Sequence, residues 1–190
     1  MAINYIEDQV FEKIDFSTTG LVKAEYDSCK FIGCDFSNTD LLGVDFASCM
    51  FEGCNLSMAK PTKTAFRDIH FLSCKILGVH FEACNEFLFS VTFDQCVLDL
   101  SSFVKMKMKK TTITQSSLHE VDFTETDLLE SVFDCCDFSR AIFDNTNIAK
   151  ADFRSSYGFS IDPSRNKMKK ARFSMEGVVG LLDKYDIVIG

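Results

Sequence analysis

One stretch of the chain decides its fold: residues 121–155, VDFTE TDLLE SVFDC CDFSR AIFDN TNIAK ADFRS, which divide into seven groups of five. The third residue of every group is large and apolar, and the first is small or β-branched. A period of five fits neither an α-helix, which repeats every 3.6 residues, nor a β-strand, which repeats every two. It suits a chain that turns a corner every five residues, with one large and one small side chain pointing inward per turn.

The same period runs through most of the chain, with one interruption. From Ile6 every fifth residue is large and apolar as far as Phe81, with Pro61 as the exception; the phase then slips by two residues and resumes from Leu88 to Phe153. We call the large residue of each group its centre, and sixteen of the 20 Phe are centres. Such a unit cannot bury its apolar face alone, so the period predicts stacked coils that share one continuous core.

A typical group of five has a small residue, then Asp or Asn, then Leu or Phe, and then two further residues. Over roughly residues 4 to 155 this pattern resembles the pentapeptide-repeat family. The resemblance implies an all-β fold: a right-handed quadrilateral β-helix, four groups to a coil, with a short C-terminal capping or dimerisation helix. A 20-residue coil places Phe11, Phe31 and Phe51 in one column, and the slip extends that column to Phe93. The slip is therefore expected to be a bulge in one continuous helix. About seven coils at the inter-strand spacing make a rod on the order of 35 Å long.

After Phe153 the repeat ends, which predicts a β-helix over residues 1–155 and a C-terminal module over residues 156–190. Ser174 is a candidate N-cap for a helix with one apolar face, and the last five residues have the composition of a short strand. The open end of a solenoid needs a cap. The module resembles the one that joins two rods in Qnr-like members, while the overall length is closer to McbG-like members. A homodimer with twofold symmetry is therefore expected. The predicted interface residues are Phe173, Met175, Val178, Val179, Leu182, Ile187 and Ile189.

The nine cysteines are predicted to be packing residues. Eight occupy the small position of a group, where a thiol acts as a small hydrophobe, and their spacing of five residues is wider than that of zinc ligand pairs. Cys135 is predicted to point outward and is the candidate reactive thiol; a thiol-based sensor is the alternative use of Cys135 and Cys136. His70, His80 and His119 have no partner nucleophile in the pattern. We therefore expect no catalytic residues, no metal and no cofactor, and a protein that is not an enzyme.

The formal charge of -8 is unevenly distributed along the chain. Residues 1–60 carry -6, residues 61–120 carry +1, residues 121–160 carry -5 and residues 161–190 carry +2. Direct nucleic-acid binding needs a basic footprint, so this balance argues against it. The N-terminus lacks the features of a signal peptide, and no apolar run is long enough to span a membrane. A cytoplasmic protein with free thiols is expected.

An acidic rod is how Qnr- and MfpA-like proteins imitate duplex DNA. The resemblance implies a non-enzymatic protein that binds a type II topoisomerase, DNA gyrase or topoisomerase IV, and protects it from a quinolone or microcin-type poison. The repeat rod nets -10, well below the charge of DNA at one per about 1.7 Å, so the imitation is partial. The predicted partner-binding residues are Asp122, Glu125, Asp127, Glu130, Asp134, Asp137 and Asp144. The alternative is a general protein-interaction scaffold with an unknown partner.

Two irregular features are further candidates for recognition. The slip places Glu86 and Phe87 in an outward bulge, which is either a recognition feature or a simple correction of register. A basic patch interrupts the acidic rod, and it is either a solvated face or a contact for an acidic partner. Its residues are Lys105, Lys107, Lys109 and Lys110.

Overall fold

A computed structural model of the chain describes residues 4–188. Its strands are short, and their bounds are β1 (Asn4–Glu7), β2 (Val10–Glu12), β3 (Ala24–Asp27), β4 (Lys30–Ile32), β5 (Asp45–Ala47), β6 (Met50–Glu52), β7 (Ala65–Arg67), β8 (Ile69–Leu72), β9 (Val91–Asp94), β10 (Thr112–Thr114) and β11 (Val132–Asp134). The helical elements are α1 (Phe16–Thr19) and three 3-10 helices (Phe81–Ala83, Gly177–Leu181 and Asp183–Tyr185). Every helix in the described range is far too short to span a bilayer.

The strands stack in parallel on two of four faces. Face 1 holds a four-stranded sheet in the order β1-β3-β5-β7, and face 2 holds a seven-stranded sheet in the order β2-β4-β6-β8-β9-β10-β11. Paired residues lie 20 positions apart along the chain, or 22 across the slip. Isolated parallel bridges hold the other two sides, beginning with Asp15 and Asp35 on face 3 and with Asp40 and Lys60 on face 4. The predicted four-sided β-helix is confirmed.

A left-handed residue makes most of the corners. The second residue after a centre has a positive φ, as at Glu125 (58°), Glu130 (60°) and Lys150 (58°). This conformation costs a non-glycine residue roughly 1–2 kcal/mol. Hydrogen bonds between coils offset the cost, because the N–H of the corner residue donates to the next coil; that of Glu125 lies 2.8 Å from the carbonyl oxygen of Asp144. The chain can therefore turn every five residues without glycine at each corner.

Ladders of aromatic rings fill the interior. On face 2 the ring of Phe31 lies between those of Phe11 and Phe51, with centroids 4.9 and 4.8 Å apart and interplanar angles of 9° and 12°. Edge-to-face contacts with Phe36 at 5.5 Å and Phe46 at 5.7 Å connect this ladder to those of the other faces. Offset stacks and edge-to-face pairs are the two arrangements that the ring quadrupole favours. The predicted centres thus form one continuous core.

The slip of two residues is absorbed on face 1. The ladders of faces 2 and 4 cross the slip intact, with ring centroids 5.2 and 4.7 Å apart. On face 1, Leu88 has a left-handed φ of 57° and its side chain is exposed, while Phe89 is half-buried against Phe66 and Phe81. The prediction that Leu88 resumes the inward column is wrong. Its left-handed backbone turns the side chain outward, and Phe89 takes the inward place.

Coil geometry continues past the boundary that the sequence places at residue 155. A parallel bridge joins Asp152 to Arg172, and the ring of Phe173 stacks on that of Phe153 with centroids 5.4 Å apart. The chain between these residues therefore completes a further turn of the rod before the C-terminal segment begins.

The C-terminal segment differs from the prediction. In place of one helix after Ser174 there are two short 3-10 helices, Gly177–Leu181 and Asp183–Tyr185. Ser174 does cap this segment, because its Oγ accepts a hydrogen bond from the N–H of Gly177 at 2.9 Å. Residues 186–188 form no strand, and the last two residues of that predicted strand lie outside the described range.

Close backbone contact explains the irregular helix. A Cβ at Gly180 would lie 2.0 Å from the carbonyl oxygen of Phe159, so this position has room for glycine alone. The carbonyl oxygen of Gly180 accepts a hydrogen bond from the N–H of Ile161 at 2.9 Å. Glycine is a poor helix former, so the segment forms short 3-10 helices and not a regular α-helix where it packs on the last coil.

We expect the loss of one central ring to weaken the whole rod. Phe51 is fully buried, so Phe51→Ala should lower the free energy of unfolding by about 3–5 kcal/mol. Phe11 is half-buried in the first coil, so Phe11→Ala should cost clearly less. Denaturant unfolding followed by circular dichroism measures both, and equal losses for the two variants would contradict the ladder model.

Candidate protein-interaction surfaces

The cysteines at small positions are buried structural groups. Most donate a hydrogen bond to the coil before, as Cys49 does to the carbonyl oxygen of Tyr26 and Cys136 to that of Ile113, both at 3.3 Å. Burial raises the pKa of Cys49 to about 12 and that of Cys136 to about 11. A thiol must ionise to act as a nucleophile, and these stay protonated at neutral pH. Cys135 is exposed, as the sequence predicts.

The histidines that have side-chain partners contact carboxylates. His80 Nδ1 lies 2.9 Å from Glu82, and His119 Nε2 lies 2.9 Å from Asp137. Partial burial alone would raise the pKa of Asp137, but hydrogen bonds from Ser139 and His119 outweigh it and lower that pKa. Within residues 4–188 no three His, Cys, Asp or Glu side chains converge on a point that could hold a metal.

The seven acidic residues predicted to bind a partner do not share one face. Asp122, Glu125 and Asp127 follow one another around the corner between faces 4 and 1. The other four lie at other corners, faces or levels of the rod: Glu130, Asp134, Asp137 and Asp144. The structure therefore does not gather the seven on one face.

Cations from neighbouring coils neutralise most of this set. Glu130 Oε1 lies 2.5 Å from Lys150 Nζ, and this hydrogen bond lowers the pKa of Glu130. Asp144 pairs with Arg165 at 2.7 Å. Two further pairs join Asp127 to Lys109 at 3.3 Å and Glu125 to Lys105 at 3.9 Å. These exposed ion pairs add little to stability, but they cancel much of the negative potential that a partner would meet.

A second acidic surface, which the sequence analysis does not predict, lies at the N-terminal end of face 1. We call it the acidic half of face 1; it comprises Glu7, Asp8, Glu25, Asp27, Asp45 and Asp68. Glu25 pairs with Arg67 at 2.7 Å, and the other five make no salt bridge within residues 4–188. The hydroxyl of Tyr5 donates to Asp27 at 2.9 Å. That hydrogen bond, with the neighbouring carboxylates, raises the pKa of Tyr5 to about 12. The charge of residues 1–60 was the available signal, and the coil places five of its ten acidic residues on face 1.

The C-terminal end of face 1 has the opposite charge. We call it the basic half of face 1; it comprises Lys107, Lys109, Lys110, Lys150, Lys167, Lys169 and Lys170, all exposed. Parallel bridges from Lys107 to Asp127 and from Asn147 to Lys167 place these residues on the same side of the rod. The basic patch predicted from the sequence is thus one end of a larger lysine-rich surface.

An apolar bulge separates the two halves. Phe87 is 69% exposed and Leu88 is 63% exposed, and Glu86 beside them is also exposed. Asn85 supports the turn, because its Oδ1 accepts a hydrogen bond from the N–H of Phe87 at 3.0 Å. Phe87 points outward as the sequence predicts. A role for the bulge in recognition stays a prediction.

The residues predicted to form a C-terminal dimer interface fall into two groups. Phe173 belongs to the core ladder and Leu182 is half-buried. The exposed members are Met175, Val178, Val179 and Ile187. Ile189 lies outside the described residues. The exposed group leaves an apolar surface at the end of the rod, and its use as a dimer interface stays a prediction.

An ion pair fastens the C-terminal segment to the rod. Lys184 Nζ lies 2.6 Å from Asp162 Oδ1 and 2.9 Å from Ser164 Oγ. The hydrogen bond from Lys184, together with those from Ser164, lowers the pKa of Asp162 to about 2. The same contact raises the pKa of Lys184. Both groups therefore remain charged at neutral pH and hold the 3-10 helices against the last coil.

Comparisons with known proteins agree with this architecture. A family model described as a pentapeptide repeat region matches residues 44–123, and a second, described as pentapeptide repeats, matches residues 122–156. A search of curated proteins gives no sequence match.

Two solved structures are similar over nearly the whole chain. A trypsin-treated form of QnrB1, a plasmid-mediated fluoroquinolone resistance protein, is 18% identical with a TM-score of 0.62, covering 98% of this chain and 100% of that one. HetL, a pentapeptide repeat protein involved in heterocyst differentiation regulation in the cyanobacterium Nostoc sp. strain PCC 7120, is 14% identical with a TM-score of 0.65. That match covers 93% of this chain and 90% of HetL. At these identities the likeness shows the fold.

The folded protein should react with a thiol reagent at one cysteine. Cys135 is exposed, whereas the other eight are buried, so a native protein should release one equivalent of chromophore from a disulfide reagent and a denatured one nine. Cys135→Ser should abolish the native reaction, and Cys136→Ser should leave it unchanged. Fast modification of several thiols in the native state would contradict the packing role.

The attachment of the C-terminal segment should fail in acid. Because the pKa of Asp162 is lowered on folding, its contribution is complete above about pH 4 and is lost as the pH falls toward about 2. Hydrogen exchange of residues 177–185, corrected for the intrinsic rate, should therefore accelerate over that range. Lys184→Ala should accelerate it already at pH 7, and Lys169→Ala, an exposed lysine outside the segment, should not. Unchanged protection in Lys184→Ala would refute the role of this pair.

Proposed function

We propose, since this chain belongs to the pentapeptide-repeat family, that it acts without catalysis as a rod that binds a type II topoisomerase. In this proposal DNA gyrase or topoisomerase IV accepts the rod in place of duplex DNA, and binding protects the enzyme from a quinolone or microcin-type poison. The acidic half of face 1 is the observation that carries the proposal, because five of its six carboxylates make no salt bridge within residues 4–188. The acidic half is therefore the first surface to test, ahead of the seven acidic residues between Asp122 and Asp144 that the sequence predicts.

The charge of this surface supports a local likeness to DNA. Its six carboxylates and the guanidinium of Arg67 give a net charge of -5 on four successive levels of the rod, and Lys23 and Lys63 at the corner with face 4 reduce it to -3. Four levels at the inter-strand spacing span roughly 15 Å, a length over which duplex DNA carries roughly nine charges. The surface therefore offers about a third of the charge density of DNA, on one face. A DNA-binding groove with positive walls would attract it by the same long-range field that attracts DNA.

The likeness to QnrB1 supports the proposal at the level of shape. The whole chain of the trypsin-treated form aligns with this chain, so this rod has an extent comparable with that form. Protection of a topoisomerase by this chain is what we propose.

A general interaction scaffold is the second candidate, and face 2 favours it. Its seven-stranded sheet presents a long surface on which the outward side chains of several strands are apolar or hydroxylic, among them Val10, Thr92, Thr112 and Val132. The match to HetL, a protein involved in differentiation, supports uses of the same rod unrelated to topoisomerases. A pull-down that returns another partner, with gyrase absent, would favour this candidate.

A supercoiling assay with gyrase and a quinolone tests the first candidate. The wild-type protein at micromolar concentration should restore supercoiling. The double variant Glu7→Lys with Asp27→Lys should need at least tenfold more protein, because it reverses charge in the acidic half.

The matched control carries Glu12→Lys and Glu52→Lys, which make the same change of net charge on face 2. It should protect like the wild type. A wild-type protein that neither protects gyrase nor inhibits it would refute the proposal. Equal loss in both double variants would show that net charge, and not the acidic half, is responsible.

A further inference from the structure

Face 1 has an excess of negative charge at its N-terminal end and an excess of positive charge at its C-terminal end. The acidic half nets -5, or -3 with Lys23 and Lys63 included, as counted above. The basic half has seven lysines, and Asp127 and Glu130 lie among them, so it nets +5. The parallel pairings that run from Glu7 to Asp27, and the bridge from Asn147 to Lys167, place both halves on one side of the same straight rod. A surface with this distribution is complementary to itself when one copy is turned end over end.

We propose that face 1 binds face 1 of a second copy of this chain, in antiparallel orientation, with a twofold axis through the bulge formed by Glu86, Phe87 and Leu88. The bulge lies midway between the halves, so an axis there brings each acidic half opposite the basic half of the other copy. A twofold interface of this kind uses the same patch on both subunits.

The match can be followed level by level along face 1, where a level is the part of face 1 that belongs to one coil. The first level, with Glu7 and Asp8, lies opposite the last, with Lys167, Lys169 and Lys170. The level of Glu25 and Asp27 lies opposite that of Lys150. The level of Asp68 lies opposite that of Lys107, Lys109 and Lys110. Both ends of the contact therefore join opposite charges.

Two levels bring like charges together. Arg67, on the level of Asp68, lies opposite Lys109 of the other copy. At the other level the structure already reduces the repulsion. Asp45 lies opposite Asp127 and Glu130 of the other copy. In their own rod these two residues are paired with lysines, at 3.3 Å from Lys109 and 2.5 Å from Lys150. The like charges meet with their field largely cancelled.

The bulge supplies the apolar centre that such a contact needs. The side chains of Phe87 and Leu88 are both more than 60% exposed. Across a twofold axis each pair meets its own copy, and burial of two large side chains from each subunit removes apolar area from water. A protein interface usually has apolar contacts at its centre and charged residues around them.

A second copy fits this face better than a polyanion does. An anionic polymer would be attracted to the basic half and repelled along the acidic half of the same side. A second copy satisfies both halves at once. The interface is also separate from the apolar surface of the C-terminal segment. It covers the acidic half of face 1, so self-association and the proposed topoisomerase binding compete for that surface.

Sedimentation of charge-reversed full-length chains tests the proposal. The wild type should form a dimer whose dissociation constant rises at least tenfold between 50 mM and 500 mM salt, because exposed charges are screened. Reversal of the basic half (Lys167→Glu with Lys169→Glu) or of the acidic half (Glu7→Lys with Asp8→Lys) should each weaken self-association at least tenfold. A mixture of the two variants should associate again, since each then supplies what the other lacks.

Controls separate this interface from other contacts. Lys30→Glu with Lys75→Glu, which lie on faces 2 and 3, should leave the dimer unchanged. Val179→Asp with Ile187→Asp, in the C-terminal surface, should do the same, while Phe87→Ser with Leu88→Ser should weaken the dimer. A wild type that stays monomeric at low salt, a mixture of reversed variants that does not associate, or a dimer lost on changing the C-terminal surface instead would each overturn the proposal.

Discussion

The left-handed corner at every fifth residue is the constraint on which the rest of the rod depends. Because corners such as Glu125 and Glu130 recur at equal intervals, each centre lies directly over the centre of the coil before, and each backbone donor meets a carbonyl oxygen of the next coil. The register between coils, the packing of the core and the arrangement of the surface side chains all follow from this repetition. A residue of one type repeated every 20 positions becomes a column of that type, in the interior or on the surface.

The small inward position shows how chemistry follows from that geometry. There the side chain points at a carbonyl oxygen of the preceding coil, as for Cys49, whose thiol donates to Tyr26 at 3.3 Å, and Thr126, whose hydroxyl donates to Phe103 at 2.7 Å. Cys, Ser and Thr are all small donors, so they serve equally in this place, and Val or Ala can replace them where no donor is needed. The high cysteine content thus arises from packing and hydrogen bonding together.

Sequence periodicity predicts what is local and misses what depends on contact between coils. The centres could be read directly, because a period of five needs no knowledge of neighbours. The turn after residue 155 could not, since Gly158 and Pro163 stand at centre positions and backbone bridges, which need no particular side chain, continue the coil.

The charged surface escaped prediction for a related reason. The partner of Glu130 is Lys150, 20 residues away, so a count of charges along the chain includes both without showing that they cancel. The same count shows that residues 1–60 are acidic but not that the coil places five of their ten acids on face 1.

Stacking also limits how far such a rod can imitate DNA. Like charges in one column are about 4.8 Å apart and repel, and the corner column of Lys110, Glu130 and Lys150 avoids this by alternating sign. On the acidic half of face 1 the alternation is missing: Glu7 lies beside Asp27 and Glu25 beside Asp45, and each column then ends at an alanine. The uncompensated repulsion within these two short columns is relieved by any partner that brings positive charge to them. A positively charged partner would therefore gain more from the acidic half than from the paired acids farther along.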